Sequence, residues 1–485
     1  MEYRATPLDE IAPRVRAARS AFASASTQPE AWRRAALLRL RDLLVERESR
    51  LLDALAEDFG KPRFEAWTTE IGFSISDINH TLAHLTTWMR PEKVPTPVAF
   101  QPGSSRIESG PVGVVCVIAP WNYPVQLLLL PMVAAISAGN AVVAKPSELA
   151  PSTAAELVSL IEAIGDPAIG VVQGGVAETS ELLAQRFDHI LYTGNSRVAR
   201  IVMRAAAENL TPVTLELGGK SPAIVSRKAN IDVAARRIAW GKFLNAGQTC
   251  IAPDYVLVEK PVHDAFVAAL GEHIAEFYGA DPQVSSDYAR IVNSPHFHRL
   301  EKLLDNGKVA HGGVTDTDTR YISPTVLTGV KDDDPVMSEE IFGPILPVLA
   351  VESLPEAIAF VNDRSNRGDK PLALYVFSED GDENDAVLAG STSGGACVNG
   401  TLLHISNPNL PFGGVGESGM GAYHGKFGFD TFSHRRSVHQ RSTRIDPSMM
   451  YPPYTAKKQK LVRKGMMLPD PRDVASKLRG ALRRG

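Results

Sequence analysis

The chain has 485 residues, more than one hydrophobic core usually supports, so two or three domains are expected. Its composition is that of a globular protein, with 44% hydrophobic and 22% charged residues. A formal net charge of −4 argues against nucleic acid as a partner, because nucleic-acid binders normally carry a basic surface. The three cysteines, Cys116, Cys250 and Cys397, are too few for a disulfide framework and indicate a reducing compartment.

The N-terminal residues are charged throughout and contain no apolar stretch before a small-residue cleavage site, so no signal peptide is expected. Residues 109–144 carry no charge and are the only segment that resembles a membrane span. Four prolines and the pair Gly139-Asn140 interrupt this segment. The interruptions predict a buried strand, loop, helix and strand, and we expect a cytoplasmic protein.

The first 90 residues have apolar positions at helical spacing. From residue 112 onward, short apolar runs that end in turn residues alternate with helical stretches. This alternation predicts βαβ units and a doubly wound parallel sheet, which binds ligands at the carboxyl ends of its strands. The predicted strands are VGVVCVIAP, AVVAKPS, GVVQGG, HILYTG and TPVTLELGG, and the predicted helices are Val125–Ser137, Pro151–Ile164, Glu178–Arg186 and Arg197–Glu208.

A second α/β unit is predicted from about Ser221 to Gly394, with strands PAIVS, YVLVEK, SPTVL, LPVLAV and LALYVFS. The Gly- and Pro-rich segment that follows suits an arm that packs on a neighbouring subunit. Residues 455–485 contain ten Lys or Arg and two Asp, a net of +8 that leaves −12 for the remainder. This tail is either a solvated terminus or a weak anchor on anionic lipid, with a short helix over Val474–Arg484.

Two motifs carry the chemistry. Cys250 ends the segment FLNAGQTC, and Glu216 lies in LELGGKSP, at the end of an apolar strand and before two glycines. Taken singly, Cys250 is a buried small hydrophobe and Glu216 a strand-end partner of Lys220. Taken together, the motifs match the two signature segments of the aldehyde dehydrogenase superfamily. The matching order continues in four further segments, PWNYP, KPSE, EEIFGP and PFGGVG.

The resemblance extends from about Arg33 to His434 and is strongest to the class 3 and fatty aldehyde dehydrogenases, because of RRIAWGKF and SGMGAYHGKFGFDTFSHRRS. It implies an α/β aldehyde dehydrogenase fold with three parts. These are a Rossmann-like NAD(P)-binding domain (1–90 and 108–219), a catalytic domain (220–394) and an oligomerisation arm (91–107 and 395–445), followed by the basic tail (446–485). It also implies a homodimer that pairs through such arms.

The resemblance assigns Cys250 as the nucleophile, Glu216 as the base that activates water, and the Asn122 amide as an oxyanion donor. The chemistry is consistent, because an aldehyde carbon loses hydride readily only once it is tetrahedral. Thiolate attack gives a thiohemiacetal, hydride loss a thioester, and hydrolysis the acid. Two alternatives remain: a relative that passes the acyl group to coenzyme A or phosphate, and a non-catalytic structural or ligand-binding descendant.

NAD or NADP is the implied cofactor. The resemblance assigns its binding to residues in four segments: Trp121, Lys145 and Glu148, Gly194 and Ser196, and Glu340 and Phe342. One departure is that Ala199 stands where relatives usually have glycine, which leaves the choice between NAD and NADP open. Arg197 either attracts a 2′-phosphate or is an exposed helix arginine.

The substrate class that the resemblance implies is medium- or long-chain aliphatic or aromatic aldehydes, which need an apolar funnel. Tyr123, Leu127 and Trp240 flank the catalytic motifs and are expected to line that funnel, although each also fits a core position. No metal site is expected, because the pair His296 and His298 lacks the further ligands of a zinc motif.

Overall fold

The computed structural model describes residues 3–97, 100–446 and 448–467. Helices and strands are numbered separately in chain order. The helices are α1 (Leu8–Ala23), α2 (Glu30–Glu46), α3 (Glu48–Phe59), α4 (Arg63–Ala66), α5 (Gly72–Trp88), α6 (Gln126–Ala138), α7 (Pro151–Glu162), α8 (Val176–Leu183), α9 (Ser196–Ala207), α10 (Ile231–Phe243), α11 (His263–Tyr278), α12 (Ser294–Glu301), α13 (Pro335–Ser338), α14 (Leu354–Asn366), α15 (Gly381–Gly390), α16 (Gly425–Thr431) and α17 (Ala456–Met466).

The strands are β1 (Glu92–Val94), β2 (Gly103–Pro111), β3 (Val114–Ile118), β4 (Ala141–Lys145), β5 (Ile169–Val171), β6 (His189–Thr193), β7 (Val213–Glu216), β8 (Pro222–Val225), β9 (Tyr255–Glu259), β10 (Lys308–His311), β11 (Thr315–Asp316), β12 (Tyr321–Ile322), β13 (Thr325–Thr328), β14 (Ile345–Val351), β15 (Ala373–Phe377), β16 (Gly395–Val398), β17 (Gly419–Met420) and β18 (Ser433–Arg441). The predicted α/β class, the ten predicted strands and the four predicted helices between them are confirmed, with ends that differ by a few residues.

The first large sheet has the order β17-β7-β6-β3-β4-β5. Strands β3 to β7 pair in parallel, and β17 joins the edge antiparallel to β7. Alternate residues of β3 belong to different apolar clusters, because Val115 and Val117 pack with α2, α3 and α6 while Cys116 packs with α1, α8 and α9. Both faces of the sheet are therefore covered, as in a doubly wound fold.

The second large sheet has the order β10-β13-β14-β9-β8-β15-β16, and its pairs are parallel except that of β10 with β13. Its inner strands β8, β9, β13 and β15 are almost entirely buried and rich in Val, Ile, Leu and Tyr. Side chains on both faces are covered by helices, which explains why these strands appear in the sequence as continuous apolar runs.

The uncharged segment 109–144 folds as predicted into β3, the buried helix α6 and β4. Every residue of α6 is buried, although Pro131 lies within it. No helix in the described part of the chain combines the length and apolar character that crossing a bilayer requires.

The chain divides into two compact units, Met1–Met89 with Gly110–His434, and Arg90–Ser109 with Arg435–Gly485. The second boundary falls after His434, beyond the predicted start of the arm at residue 395, because β16 and β17 pair with the two large sheets. The second unit contains most of a three-stranded sheet of order β1-β2-β18, joined by ion pairs of Arg435 with Glu92 and Arg436 with Glu108. It also contains α17, whereas the predicted helix Val474–Arg484 lies outside the described residues.

Candidate active site

The predicted nucleophile, Cys250, follows a turn of unusual backbone. Asn245, Ala246 and Gly247 have φ values of 53°, 50° and 73°, three successive residues in the left-handed region. A Cβ on Gly247 would collide with the carbonyl of Gly343, so only glycine lets the EEIFGP segment approach this closely. The turn ends at Cys250, whose side chain lines a cavity. Burial, and then the nearby carboxylates of Glu340 and Glu216, raise the pKa of the Cys250 thiol.

Asn122 is held against this turn by hydrogen bonds. Its Nδ2 donates to the carbonyl oxygen of Gln248 over 3.0 Å, which uses one amide hydrogen and leaves the second free for an oxyanion. Asn245 Nδ2 donates to the carbonyl oxygens of Asn122 and Gln248, over 2.9 and 3.1 Å. Glu65 accepts from the backbone N–H of Asn245 over 3.0 Å. Asn122, the predicted oxyanion donor, and the loop that precedes Cys250 therefore form one hydrogen-bonded unit.

The buried ion pair of Lys61 and Glu70 supports the backbone of Asn122. No pattern in the sequence predicted this pair. Lys61 and Glu70 have fully buried side chains, and Lys61 Nζ lies 2.8 Å from Glu70 Oε1. Lys61 Nζ also lies 3.4 Å from the carbonyl oxygen of Asn122 and 4.0 Å from the ring centre of Tyr123. Glu70 accepts in addition from two backbone N–H groups at the start of α6. These bonds satisfy both charges and fix the PWNYP segment.

Glu216 ends β7 with only 2% of its surface exposed. Neither carboxylate oxygen has a hydrogen-bond partner within residues 3–97, 100–446 and 448–467. Burial raises the pKa of Glu216 well above the usual range of a carboxyl. The interpretation that pairs Glu216 with Lys220 is wrong, because Lys220 pairs with the buried Asp254 and donates to the carbonyl oxygens of Val336 and Glu339. Among the described residues, Glu216 therefore has no cation that would pair with its carboxylate.

An apolar cavity of about 270 Å³ opens over Cys250. The three residues predicted to form the substrate funnel, Tyr123, Leu127 and Trp240, all line it, and Tyr123 Oη lies 2.7 Å from Thr249 Oγ1. The remaining lining residues are Thr68, Thr69, Phe73, Gln126, Leu244, Thr249, Ile251, Leu402, Leu403, Ile405 and Ser406. Most of these come from chain segments far from the signature motifs, and no sequence signal marked them.

The predicted cofactor residues lie at the carboxyl ends of parallel strands. Lys145 ends β4, is 4% exposed and contacts Glu148 over 2.5 Å. Gly194 and Ser196 follow β6 at the exposed beginning of α9, and a Cβ on Gly194 would collide with the hydroxyl of Tyr192. An exposed helix start at the carboxyl edge of a parallel sheet is where dinucleotides bind, so these residues fit the predicted cofactor.

Within this first turn, Asn195 caps α9 by accepting from the backbone N–H of Val198 over 3.0 Å. Arg197 is exposed, and Ala199 is buried in the apolar cluster between helix and sheet. The methyl group of Ala199 therefore does not occupy the exposed face of the turn, where a pyrophosphate would lie.

The remaining predicted cofactor residues meet on the nucleophile side. Trp121 contacts Phe342 edge to face with ring centres 5.3 Å apart. A side chain on Gly218 would collide with the carboxylate of Glu340, which is therefore seated directly against that glycine. Burial, and then the charge of Asp254, raise the pKa of Glu340 to about 8. Burial also lowers the pKa of the nearby Lys242 to about 8.

In the described chain, no cluster of three or more His, Cys, Asp or Glu side chains is arranged to hold a metal ion.

Fold and site together define a class. A doubly wound parallel sheet with a helix start at its carboxyl edge, combined with a cysteine at an apolar cavity, is the arrangement of an NAD(P)-dependent dehydrogenase that uses a thiol nucleophile. The chain belongs to the aldehyde dehydrogenase family, whose model matches residues 2–438. It is accordingly an oxidoreductase that acts on aldehydes with NAD or NADP.

Two curated relatives show how much of the chain is shared. The 4,4'-diaponeurosporen-aldehyde dehydrogenase of Staphylococcus aureus is 47% identical over 439 residues, which are 90% of this chain and 95% of that protein. The dimeric NADP-preferring aldehyde dehydrogenase of Rattus norvegicus is 47% identical over 453 residues, 93% of this chain and 99% of that protein. The similarity thus extends over nearly the full length of both relatives.

Two solved aldehyde dehydrogenase structures have a fold similar to that of this chain. The substrate-bound state of Staphylococcus aureus AldH has a TM-score of 0.91 at 45% identity and covers 94% of this chain and 99% of its own. The NAD+ complex of an aldehyde dehydrogenase from Bacillus cereus has a TM-score of 0.80 at 28% identity and covers 90% of this chain and 89% of its own. These matches confirm the predicted fold class. The resemblance to class 3 enzymes is confirmed by aldehyde dehydrogenase family 3 member B1 of Homo sapiens, which is 45% identical over 458 residues, 94% of this chain and 97% of that protein.

Proposed function

We propose that this enzyme oxidises apolar aldehydes, medium- or long-chain aliphatic or aromatic, to free carboxylic acids through a thioester on Cys250. The observation that carries the proposal is that Cys250 lines an apolar cavity, in a loop that is hydrogen-bonded to the Asn122 amide, while the unpartnered carboxylate of Glu216 is close enough to raise the pKa of the Cys250 thiol. Within the family it is this combination of groups that supports both thioester formation and hydrolysis.

In the first half-reaction, Cys250 attacks the aldehyde carbon as thiolate and forms a C–S bond. The free hydrogen of the Asn122 amide and the Cys250 backbone N–H donate to the oxyanion of the thiohemiacetal. Since such a donor is typically worth about 2.7–4 kcal/mol in kcat, the fixed position of Asn122 matters. A bound nicotinamide would supply the hydride acceptor, and loss of hydride from the thiohemiacetal carbon leaves that carbon as a thioester on Cys250. Lys145, Glu148 and Glu340 would hold the two riboses of that cofactor.

In the second half-reaction, Glu216 removes a proton from water, and the water oxygen attacks the thioester carbon. The C–S bond then breaks, and the acid leaves. The raised pKa of Glu216 makes its carboxylate a stronger base than an exposed one. Transfer of the acyl group to coenzyme A is the second candidate, and the presence of a buried base beside the thioester favours water instead.

The cavity supports the substrate class. Its lining is dominated by aliphatic and aromatic side chains, such as Phe73, Leu127 and Trp240, and its hydroxyl groups come from three threonines, a serine and Tyr123. Burial of apolar substrate carbon contributes about 0.8 kcal/mol per methylene group, so affinity should rise with chain length until the cavity is filled.

A direct assay tests this function. Purified enzyme is given NAD or NADP with aldehydes from acetaldehyde to long-chain alkanals and benzaldehyde, with and without coenzyme A, and NAD(P)H and products are measured. We expect free acid in both conditions and a kcat/KM that rises with chain length. Acyl-coenzyme A as the main product would refute hydrolysis, and no NAD(P)H from any aldehyde would refute the activity.

We further propose that the enzyme is a homodimer, in accord with the dimeric relative of Rattus norvegicus.

We also propose that it is a cytoplasmic enzyme that binds weakly to anionic membrane surfaces through its basic tail. Helix α17 contains five basic residues and no acidic one, and Leu461 and Met466 on it are 52% and 83% exposed. Such a helix suits weak adsorption to anionic lipid. The test is co-sedimentation with anionic vesicles. The full-length protein should pellet, and a variant that ends at Tyr454 should not.

A further inference from the structure

Tyr423 carries a hydroxyl that the fold leaves without a partner. The residue has 0% of its surface exposed, and its Oη has no hydrogen bond to any described residue. Buried hydroxyls in folded proteins nearly always have a partner, either protein or water. The exception therefore requires a physical explanation, and a bound water or reactant is the usual one.

The backbone around Tyr423 is fixed next to Glu216. Strand β17 pairs with the end of β7, where Gly419 lies opposite Glu216. The chain then turns at Gly421, whose φ is 84°, and returns so that the N–H of Tyr423 donates to the carbonyl oxygen of Phe412 over 2.9 Å. The N–H of Phe412 donates back to the Tyr423 carbonyl over 3.0 Å. The pairing of β17 with β7 therefore fixes the backbone near both Tyr423 and Glu216.

The electrostatic surroundings of the phenol are those of the active site. After burial, the largest influences that raise the pKa of Tyr423 are the charges of Glu216 and Cys250, followed by that of Asp77. Because the pKa of Tyr423 lies well above its usual value, the phenol stays protonated near neutral pH. Its oxygen remains an acceptor, and its hydrogen remains available to a carboxylate.

Three polar groups on or beside this sheet edge have no partner in the described chain. The described chain offers no partner to Tyr423 Oη, to either oxygen of Glu216, or to Thr193 Oγ1. Thr193 lies directly opposite Glu216 in the parallel pairing of β6 and β7, so the two side chains share one face of the sheet. A buried water needs two to four polar partners, and these groups supply them.

We propose that Tyr423 holds the hydrolytic water of the second half-reaction, a role that rests on the proposed function of Glu216. One hydrogen of the water goes to the Glu216 carboxylate, and the other donates to Tyr423 Oη. A lone pair of the water oxygen then faces the thioester carbon, forms the C–O bond, and the C–S bond breaks with its electrons on Cys250. The phenol keeps its own proton throughout.

The test is Tyr423→Phe, which removes the oxygen atom and keeps the ring. The decay of the acyl-enzyme is followed directly by rapid mixing and mass spectrometry, and the first turnover by the burst of NAD(P)H. Loss of one hydrogen bond to the reacting water should slow decay of the acyl-enzyme about tenfold, while the burst keeps its rate and amplitude. The melting temperature should not fall, because no protein hydrogen bond is lost.

The matched control is Tyr288→Phe. Tyr288 is also buried, but its Oη donates to the carbonyl oxygen of Ile322 over 2.9 Å, and neither Glu216 nor Cys250 is among the groups that shift its pKa. This variant should melt at a lower temperature than wild type and keep the acyl-enzyme decay rate. Unchanged decay in Tyr423→Phe would overturn the inference, as would a fall in its melting temperature equal to that of Tyr288→Phe.

Glu216→Gln, measured in parallel, separates the two proposals. If Glu216→Gln stalls as acyl-enzyme and Tyr423→Phe does not, only the role of Tyr423 is wrong. If Glu216→Gln releases acid at the wild-type rate, the proposed hydrolysis itself fails.

Discussion

The two sides of the active site are built differently. On the nucleophile side, the amide nitrogens of Asn122, Asn245 and Gln248 all donate to backbone carbonyls of Asn122 or of the loop over 2.9–3.1 Å, although Asn245 Oδ1 has no partner among the described residues. On the base side, the polar atoms of Glu216 and Thr193 have no partner within the described ranges, although both residues are over 90% buried. The nucleophile side is therefore held in place by its own hydrogen bonds. The base side keeps polar atoms available to hydrogen-bond a bound water or substrate.

The difference follows from the two half-reactions. An oxyanion is stabilised best by donors that need not reorganise when charge develops, and this requires a rigid amide. A hydrolytic base must stay free until water arrives, and burial without partners keeps its pKa high. The comparison predicts that variants on the nucleophile side reduce both stability and rate, while variants on the base side reduce rate alone.

Removal of the nucleophile has the largest expected effect, because both half-reactions pass through it. Cys250→Ala should abolish NAD(P)H formation and leave cofactor binding intact, as measured by quenching of protein fluorescence. Cys116→Ala and Cys397→Ala serve as controls and should keep most activity, since neither side chain lines the cavity. Near-normal oxidation by Cys250→Ala would show that the thioester mechanism is wrong.

Glu216→Gln tests the base side. The steady-state rate should fall at least about a hundredfold, in the range of general-base contributions, and acyl-enzyme should accumulate. The melting temperature should stay about the same, because the carboxyl group makes no hydrogen bond to a described residue and Gln keeps its size and shape. Wild-type turnover would refute the assignment, and a strong loss of stability would show that the carboxylate has a partner in solution.

Gln248→Ala is the corresponding test of the nucleophile side. Gln248 Nε2 donates to the carbonyl oxygens of Asn245 and Arg290, each over 3.0 Å, and its Oε1 accepts from the Val292 N–H over 2.9 Å. Since those backbone groups would be left unsatisfied in the interior, we expect a loss of about 2 kcal/mol in the free energy of unfolding. Denaturant titration measures it, and an unchanged midpoint would contradict the comparison.

The raised pKa of Glu216 also predicts a pH dependence with a defined sign. The fold favours the protonated carboxyl, so the stabilisation that this residue gives relative to Glu216→Gln is present below about pH 4.5 and is lost as the pH rises through the raised pKa. Deacylation gains about tenfold per pH unit across the same window, because it needs the carboxylate. Parallel melting and acyl-enzyme decay profiles check both trends, and a rate independent of pH would exclude Glu216 as the base.

Much of this site could be predicted from the sequence because its chemistry lies in contiguous segments. Cys250, Glu216 and Asn122 each stand in a motif of several residues, and the apolar runs that precede two of them identify their strands. Tyr123, Leu127 and Trp240 adjoin those motifs, which is why the sequence could indicate that they line a cavity there.

The remainder depends on contacts that no local pattern encodes. Lys61 and Glu70, from the N-terminal segment, support Asn122, and part of the cavity is lined by Thr68, Leu402, Leu403, Ile405 and Ser406. The sequence offered Glu216 as the partner of Lys220, whereas the fold brings Asp254, the residue before β9, to Lys220 instead. Tyr423 stands in a segment that was informative only about the family. When sheet pairing brings together side chains that are far apart in the sequence, their proximity can be recognised only in the folded structure.

The smallest expected effect comes from Thr193→Val, which removes an unpartnered hydroxyl. Its matched control is Thr214→Val on the neighbouring strand, where Oγ1 lies 2.9 Å from Nε2 of His189. Thr193→Val should keep its melting temperature and lose no more than about threefold in the rate of acyl-enzyme decay, because its hydroxyl is one of several ligands available to the water. Thr214→Val should lose about 1 kcal/mol of stability and no rate, because its hydrogen bond is structural. Equal destabilisation by the two variants would mean that the Thr193 hydroxyl has a partner in the folded enzyme, and the distinction between the two sides of the site would then reduce to Glu216 alone.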